Sequence, residues 1–200
     1  MKATDTAPGK RKQKAKMNLP NRLTLLRIAM IPLYLVLLTG SAGCRIGAAL
    51  VFAAASITDF FDGRIARNRN LITDFGKFMD PIADKLLVLL PFLYFCATEP
   101  FGVADVWPVM LMVAREIIVS GFRLVASTKG KVIAADKFGK VKTAVQMVTV
   151  IAMTLRPIIE SAIPWFGKIP WALLWLCGVL SVYSGAEMIR KNLHILEVEE

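Results

Sequence analysis

The sequence has a single histidine, His194, and three cysteines, Cys44, Cys96 and Cys177, among its 200 residues. No pair of cysteines stands at metal-ligand spacing and one histidine cannot complete a cluster, which argues against a zinc site. Three dispersed thiols make no disulfide framework, so each reads as a small apolar packing residue. His194 follows the last apolar stretch, near Glu197, Glu199 and Glu200 of a solvated tail, and has no triad around it. Acidic residues are also scarce, 15 against 25 Lys and Arg, giving a formal charge of +10. Strict apolar-polar alternation is absent, which excludes a membrane barrel. The first 17 residues are lysine-rich without an apolar core, so they are not a secretory signal.

What the chain does have is apolar length. Hydrophobic residues make up 56% of it and its mean hydropathy is +0.55, which a soluble domain of this size does not reach. Six apolar stretches, roughly 23–38, 46–61, 82–101, 106–125, 143–159 and 163–182, predict six transmembrane helices of about 20 residues each. The expected class is an all-α integral membrane protein. Residues 1–17 are expected as a disordered basic cytoplasmic tail, 18–192 as the six-helix domain and 193–200 as a short acidic tail.

Charge placement agrees with six spans. Lys10, Arg11, Lys12, Lys14 and Lys16 precede the first; Arg64, Arg67, Arg69 and Lys77 lie between the second and third. Lys129, Lys131, Lys137, Lys140 and Lys142 lie between the fourth and fifth, and Arg190 and Lys191 follow the sixth. The opposite connections hold Arg45, Arg156 and Lys168 beside Glu99, Asp105 and Glu160. The positive-inside rule then places both termini in the cytoplasm and the protein in a bacterial-type inner membrane. The basic charge is divided among tail and loops with no nucleic-acid recognition module, so its expected partner is anionic lipid, not nucleic acid.

Of the 15 acidic residues, Asp59, Asp62, Asp74, Asp80 and Asp84 crowd into one segment that ends the second apolar stretch and begins the third. Carboxylates at membrane depth are costly unless they meet cations in a wet cavity. Asp59 and Asp62 are i and i+3 at the end of one helix, and Asp80 and Asp84 are i and i+4 at the start of the next, so each pair can share a face. Four carboxylates facing across an antiparallel hairpin demand counterions. An all-oxygen set points to two hard divalent cations, magnesium or manganese. Such a pair suits phosphoryl displacement, with a partly free carboxylate accepting a hydroxyl proton. The plainer reading makes Asp80 an N-cap before Pro81 and pairs Asp59 or Asp62 with Arg64 or Arg67. It accounts for single aspartates but not for all four. Asp74 reads as a turn or cap residue.

Asp59, Asp62, Gly63, Ala66, Arg67, Gly76, Asp80 and Asp84 reproduce the signature D-x2-D-G-x2-A-R-x8-G-x3-D-x3-D, and in this the chain resembles the CDP-alcohol phosphatidyltransferases. The resemblance implies that Asp59, Asp62 and Asp80 hold a binuclear metal site, which Asp84 completes while serving as general base. It implies that Gly63 and Ala66 let a nucleotide approach the helix, and that Arg67 holds its phosphates. The implied donor is CDP-diacylglycerol, and members of the family are commonly homodimers.

Asn21, Thr24 and Arg27 stand three apart along one helical stripe and resemble the family's nucleotide-binding first helix. Alternatively Asn21 caps the helix and Arg27 snorkels to headgroups. Arg115, Glu116 and Arg123 interrupt the fourth apolar stretch and must face the bundle interior, where an anionic acceptor would balance them. Lys137, Lys140 and Lys142 open the fifth, where cations oppose the helix dipole and a phosphate would relieve the conflict. The runs 114–123 and 136–146 are similar to the branch of the family that uses glycerol 3-phosphate. Arg115, Arg123, Lys137 and Lys142 are therefore the expected acceptor-phosphate residues, while Arg190 and a Glu187–Lys191 pair read as helix-end anchoring. The expected reaction transfers a phosphatidyl group from CDP-diacylglycerol to glycerol 3-phosphate, giving phosphatidylglycerophosphate and CMP. Alternatives are another acceptor, such as inositol phosphate, serine or phosphatidylglycerol, or a cation or proton carrier using the same carboxylates.

Overall fold

The structure is a computed structural model that describes residues 19–68, 74–98, 106–131, 133 and 137–195. Six helices account for nearly all of them: α1 (Leu19–Leu38), α2 (Ala42–Asn68), α3 (Asp74–Thr98), α4 (Val106–Thr128), α5 (Lys137–Ala162) and α6 (Lys168–Asn192). Single 3₁₀ turns, Pro164–Gly167 and Leu193–Ile195, flank α6, and among the described residues there is no strand. At about 1.5 Å per residue these helices are about 30 to 40 Å long, enough for a bilayer core. Four segments are long and apolar enough to cross a membrane: Asn21–Leu38, Phe78–Thr98, Phe138–Ala162 and Pro164–Ile195. In α2 the apolar part is the shorter Ala42–Thr58, before the aspartates begin. Charges at Arg115, Glu116 and Arg123 interrupt α4. The protein is an all-α, multi-pass membrane protein.

The outside is more apolar than that of a soluble domain, and the interior encloses polar residues beside an apolar core. Leu33, Val36, Leu50, Ile117, Leu124, Val148 and Val179 are exposed on the outside. Arg27, Lys142, Gln146, Thr149, Thr154, Ser181 and Ser184 are buried inside. Lipid solvates the former, whereas the latter need partners within the bundle. Tyr34 and Thr154 share a hydrogen bond of 2.8 Å that ties α1 to α5, and the Tyr34 ring meets Phe52 of α2 at 5.5 Å. Phe92 and Phe95 of α3, Val150 and Met153 of α5 and Leu174 and Cys177 of α6 complete this core. Cys177 is buried with its sulfur 3.2 Å from the Thr149 hydroxyl, as a packing residue should be.

The helices alternate in direction. The Thr24–Asp80 contact joins the second turns of α1 and α3, and Lys129, just past α4, donates to the Ile195 carbonyl just past α6 at 2.8 Å. One end of the bundle thus gathers the starts of α1, α3 and α5 with the finishes of α2, α4 and α6. Helices α4 and α6 run parallel and close, because α6 presents Gly178 and Gly185 to α4. A Cβ at Gly178 would lie 3.1 Å from the Pro108 Cα, and one at Gly185 would lie 2.8 Å from the Arg115 Cγ. Small residues spaced in this way let membrane helices approach and hydrogen-bond.

Several local expectations are corrected. Helix α3 begins at Asp74, so Asp80 sits inside it and is not an N-cap, and Pro81 is an interior proline. A lipid environment favours keeping the backbone helical through such a proline, because an opened chain would leave polar groups unpaired. Arg64, Arg67 and Lys77 ride on the ends of α2 and α3, not on a loop. Helix α1 begins at Leu19, so Asn21 lies within its first turn and is buried. The proposed tail at 1–17 lies outside the described residues, as do residues 196–200. Leu193–Ile195 are ordered as a turn, with Ile195 buried.

Candidate active site

Thr24 and Arg27, three apart on α1, face Asp80 and Asp84, four apart on α3. The Thr24 hydroxyl donates to Asp80 Oδ1 at 2.6 Å, and Arg27 Nη1 donates to Asp84 Oδ1 at 2.9 Å. Parallel helices starting at the same level make this match possible, since i,i+3 and i,i+4 each advance about one turn. The Arg27–Asp84 pair is lopsided: the Arg27 side chain is 2% exposed and that of Asp84 is 50% exposed. Arg27 therefore does not snorkel. It is a buried cation that holds one carboxylate oxygen and leaves the acid reaching outward. Asn21 lies buried one turn before Thr24 on the same stripe.

The other half of the signature is on α2, which lies against α1. The backbones of Asp59, Asp62, Gly63, Ala66 and Arg67 continue that helix, while their side chains lie outside the described residues. The i,i+3 spacing of Asp59 and Asp62 is thus realised on a helix. Both signature helices bring their aspartates to the same end of the bundle. The donors available there are hard oxygens, and Thr24 and Arg27 each donate to one oxygen of a carboxylate. That donor set fits magnesium or manganese, and Asp59, Asp62, Asp80 and Asp84 would hold the ions.

A second polar cluster joins α4, α5 and α6. Glu116 Oε1 accepts from Arg115 Nη1 at 2.8 Å and from the ammonium of Lys142, and Arg115 Nη2 donates to Ser184 at 3.2 Å. All three charged side chains are largely buried. Two cations meet one carboxylate, so the cluster keeps net positive charge among the described residues. The sequence expectation that Arg115 and Glu116 face the interior is met. Arg123, two turns further along α4, is exposed, which corrects the interior position expected of it: close to the end of the helix its long side chain can leave the bundle. Lys137 opens α5 with its side chain outside the described residues. Glu187 and Lys191 form the local pair expected of them, at 2.7 Å, and Arg190 is exposed.

Sequence reasoning missed Lys85 and Ser120, which bridge the two clusters. Lys85 follows Asp84 on α3 and donates to the Ser120 hydroxyl of α4 at 2.5 Å; Ser120 in turn donates to the Glu116 carbonyl. A groove of about 440 Å³ runs between α3 and α4 here, lined by Lys85, Glu116 and Ser120 together with Leu89, Val113, Ile117 and Leu124. A lone lysine within the third apolar stretch was the available signal for Lys85. Ser184 carried none, because a serine in an apolar helix looks the same whether or not it meets an arginine.

The described residues thus place an outward-reaching carboxylate beside Asp80 on α3 and a net positive cluster between α4 and α5. The family model described as CDP-alcohol phosphatidyltransferase matches residues 17–183. Among curated proteins, the chain is 36% identical over 195 residues to the CDP-diacylglycerol--glycerol-3-phosphate 3-phosphatidyltransferase of Bacillus subtilis (strain 168), covering 90% of this chain and 97% of that protein. It is 38% identical over 170 residues to the protein of the same name from Rickettsia typhi, covering 84% and 93%. A further protein of that name, from Shigella flexneri, is 38% identical over 175 residues, covering 84% and 91%.

Proposed function

The chain belongs to the CDP-alcohol phosphatidyltransferase family, and from that premise we propose that it transfers the phosphatidyl group of CDP-diacylglycerol to glycerol 3-phosphate. The observation that carries the proposal is the Asp84 carboxylate, held through one oxygen by buried Arg27 and half exposed beside Asp80. Family membership also decides for an enzyme over the carrier reading.

In this reaction the acceptor hydroxyl oxygen forms a bond to the phosphorus bearing diacylglycerol, the bond from that phosphorus to CMP breaks, and CMP leaves. Asp84 takes the hydroxyl proton, and its exposure gives the acceptor access. Magnesium or manganese would be held by Asp59, Asp62, Asp80 and Asp84 and would supply positive charge against the diphosphate. Thr24 and Arg27 keep Asp80 and Asp84 aimed, acting behind the carboxylates as hydrogen-bonded supports do in metal sites. Asn21, Thr24, Arg27, Gly63, Ala66 and Arg67 are assigned to the CDP-lipid. Arg115, Arg123, Lys137 and Lys142 are assigned to the acceptor phosphate, whose dianionic charge suits the net positive cluster around Glu116. Apolar walls on the α3–α4 groove suit the donor's acyl chains.

The same proposal places the protein in a bacterial-type inner membrane as a homodimer, with the site facing the cytoplasm and the basic ends of the helices meeting anionic lipid. Protein purified in lipid nanodiscs, given CDP-diacylglycerol, magnesium or manganese and labelled glycerol 3-phosphate, is expected to release CMP and place the label in lipid. A chelator is expected to stop it. Label entering lipid from another alcohol, and not from glycerol 3-phosphate, overturns the acceptor assignment.

A further inference from the structure

Three helices meet around one largely buried carboxylate and the cations that hold it. Glu116 Oε1, from α4, accepts from Arg115 Nη1 and from Lys142 of α5, while Arg115 Nη2 reaches Ser184 of α6. Gly185 admits the Arg115 stem, since a Cβ there would meet Cγ at 2.8 Å and Nε at 3.2 Å. Arg115 and Lys142 are the cations assigned to the acceptor phosphate, and the role of Glu116 derived from them rests on that assignment. Here both already donate to a carboxylate of the protein itself. Phosphate oxygens accept the same N–H groups, and two anions crowded onto one set of donors repel strongly where water is scarce. An incoming phosphate therefore has to displace the Glu116 carboxylate.

We propose that Glu116 is a resident competitor for the acceptor-phosphate seat, and that its return to Arg115 and Lys142 releases the product. The reason lies in the reaction. Transfer occurs at the acceptor's hydroxyl, so its phosphate passes unchanged into the lipid product. A seat of two buried, uncompensated cations would grip that phosphate equally before and after the chemistry. Uniform grip of this kind does not raise kcat, and it makes departure the slow step. A carboxylate tethered on the same helix as Arg115 lowers the affinity for substrate and product alike and is always at hand when the phosphate moves away. Glu116 touches no reacting atom and acts through Arg115 and Lys142, so it is a positioning residue. A rigid brace that merely aligned the cations would give the opposite sign on removal.

The test uses the full chain in nanodiscs and the isosteric variant Glu116→Gln. The KM for glycerol 3-phosphate is expected to fall about tenfold, and inorganic phosphate to inhibit about tenfold more tightly. CMP formation is expected to show a burst of about one equivalent per site before a slower steady rate, with no burst in the wild type. Glu116→Asp keeps the charge but withdraws it by one methylene, and is expected to fold and to shift KM the same way by a smaller factor. A KM and a phosphate inhibition that rise or stay unchanged in whichever variant folds overturn the proposal, as does loss of folding in both. A wild type that turns over another alcohol but not glycerol 3-phosphate overturns the acceptor reading, and the role of Glu116 with it.

Discussion

At the scale of single residues, burial is divided unequally between partners, and the inequality assigns the roles. Arg27 is enclosed and Asp84 is not, so the guanidinium is the fixed member and the carboxylate the one open to a ligand. Asp84→Asn keeps an oxygen for Arg27 but cannot take a proton. Turnover is expected to fall by about 10² to 10⁴ while nucleotide binding survives, measured by CMP release and by CDP binding. Wild-type turnover in that variant removes Asp84 from the role of base. Thr24→Val preserves shape and deletes the donor to Asp80, a hydrogen bond worth about 1 kcal/mol. The magnesium concentration for half-maximal activity is expected to rise about tenfold, as for other supports behind metal ligands. An unchanged magnesium requirement would show that the 2.6 Å contact does not position Asp80. The aspartate spacing and the Asn21–Thr24–Arg27 stripe were legible in the sequence because helical periodicity is local. Their partners were not: nothing near Thr24 in the chain announces Asp80, and only the parallel start of α1 and α3 aligns them.

Helix boundaries show where local signals gave way to the membrane. The Asp80–Pro81 pair reads as a helix start, yet α3 begins at Asp74 and continues through it. The apolar stretches located all six helices but not their ends, because charged and small residues at 59–68 and 74–80 extend α2 and α3 beyond the apolar parts. Close contact between α4 and α6 was equally hidden, since Gly178 and Gly185 gain meaning only opposite Pro108 and Arg115. Gly185→Leu is expected to destabilise the protein by about 1 to 3 kcal/mol through overpacking. It should also raise the acceptor KM by pushing Arg115 aside. Thermal unfolding with kinetics on glycerol 3-phosphate checks both, and a change in stability without a change in KM would separate Arg115 from the acceptor.

The whole molecule turns apolar side chains outward and encloses polar clusters beside an apolar core, and α4 is its extreme case. Its charged middle is acceptable because Lys142 of α5 and Ser184 of α6 complete the partners of Glu116 and Arg115. During synthesis those helices do not yet exist when α4 leaves the ribosome. Arg115 and Glu116, adjacent in the chain and already bonded to each other, shield one another only in part. Commitment of α4 to the bilayer should therefore wait for the downstream helices, making the last three spans a cooperative unit of biogenesis. A chain stopped after Thr128 is expected to leave α4 accessible to protease in isolated membranes, whereas one extended through Asn192 protects it. Equal protection of the two would mean that α4 inserts unaided. The residues proposed to seat a phosphate would thus also set the order in which the nascent chain can enter the membrane.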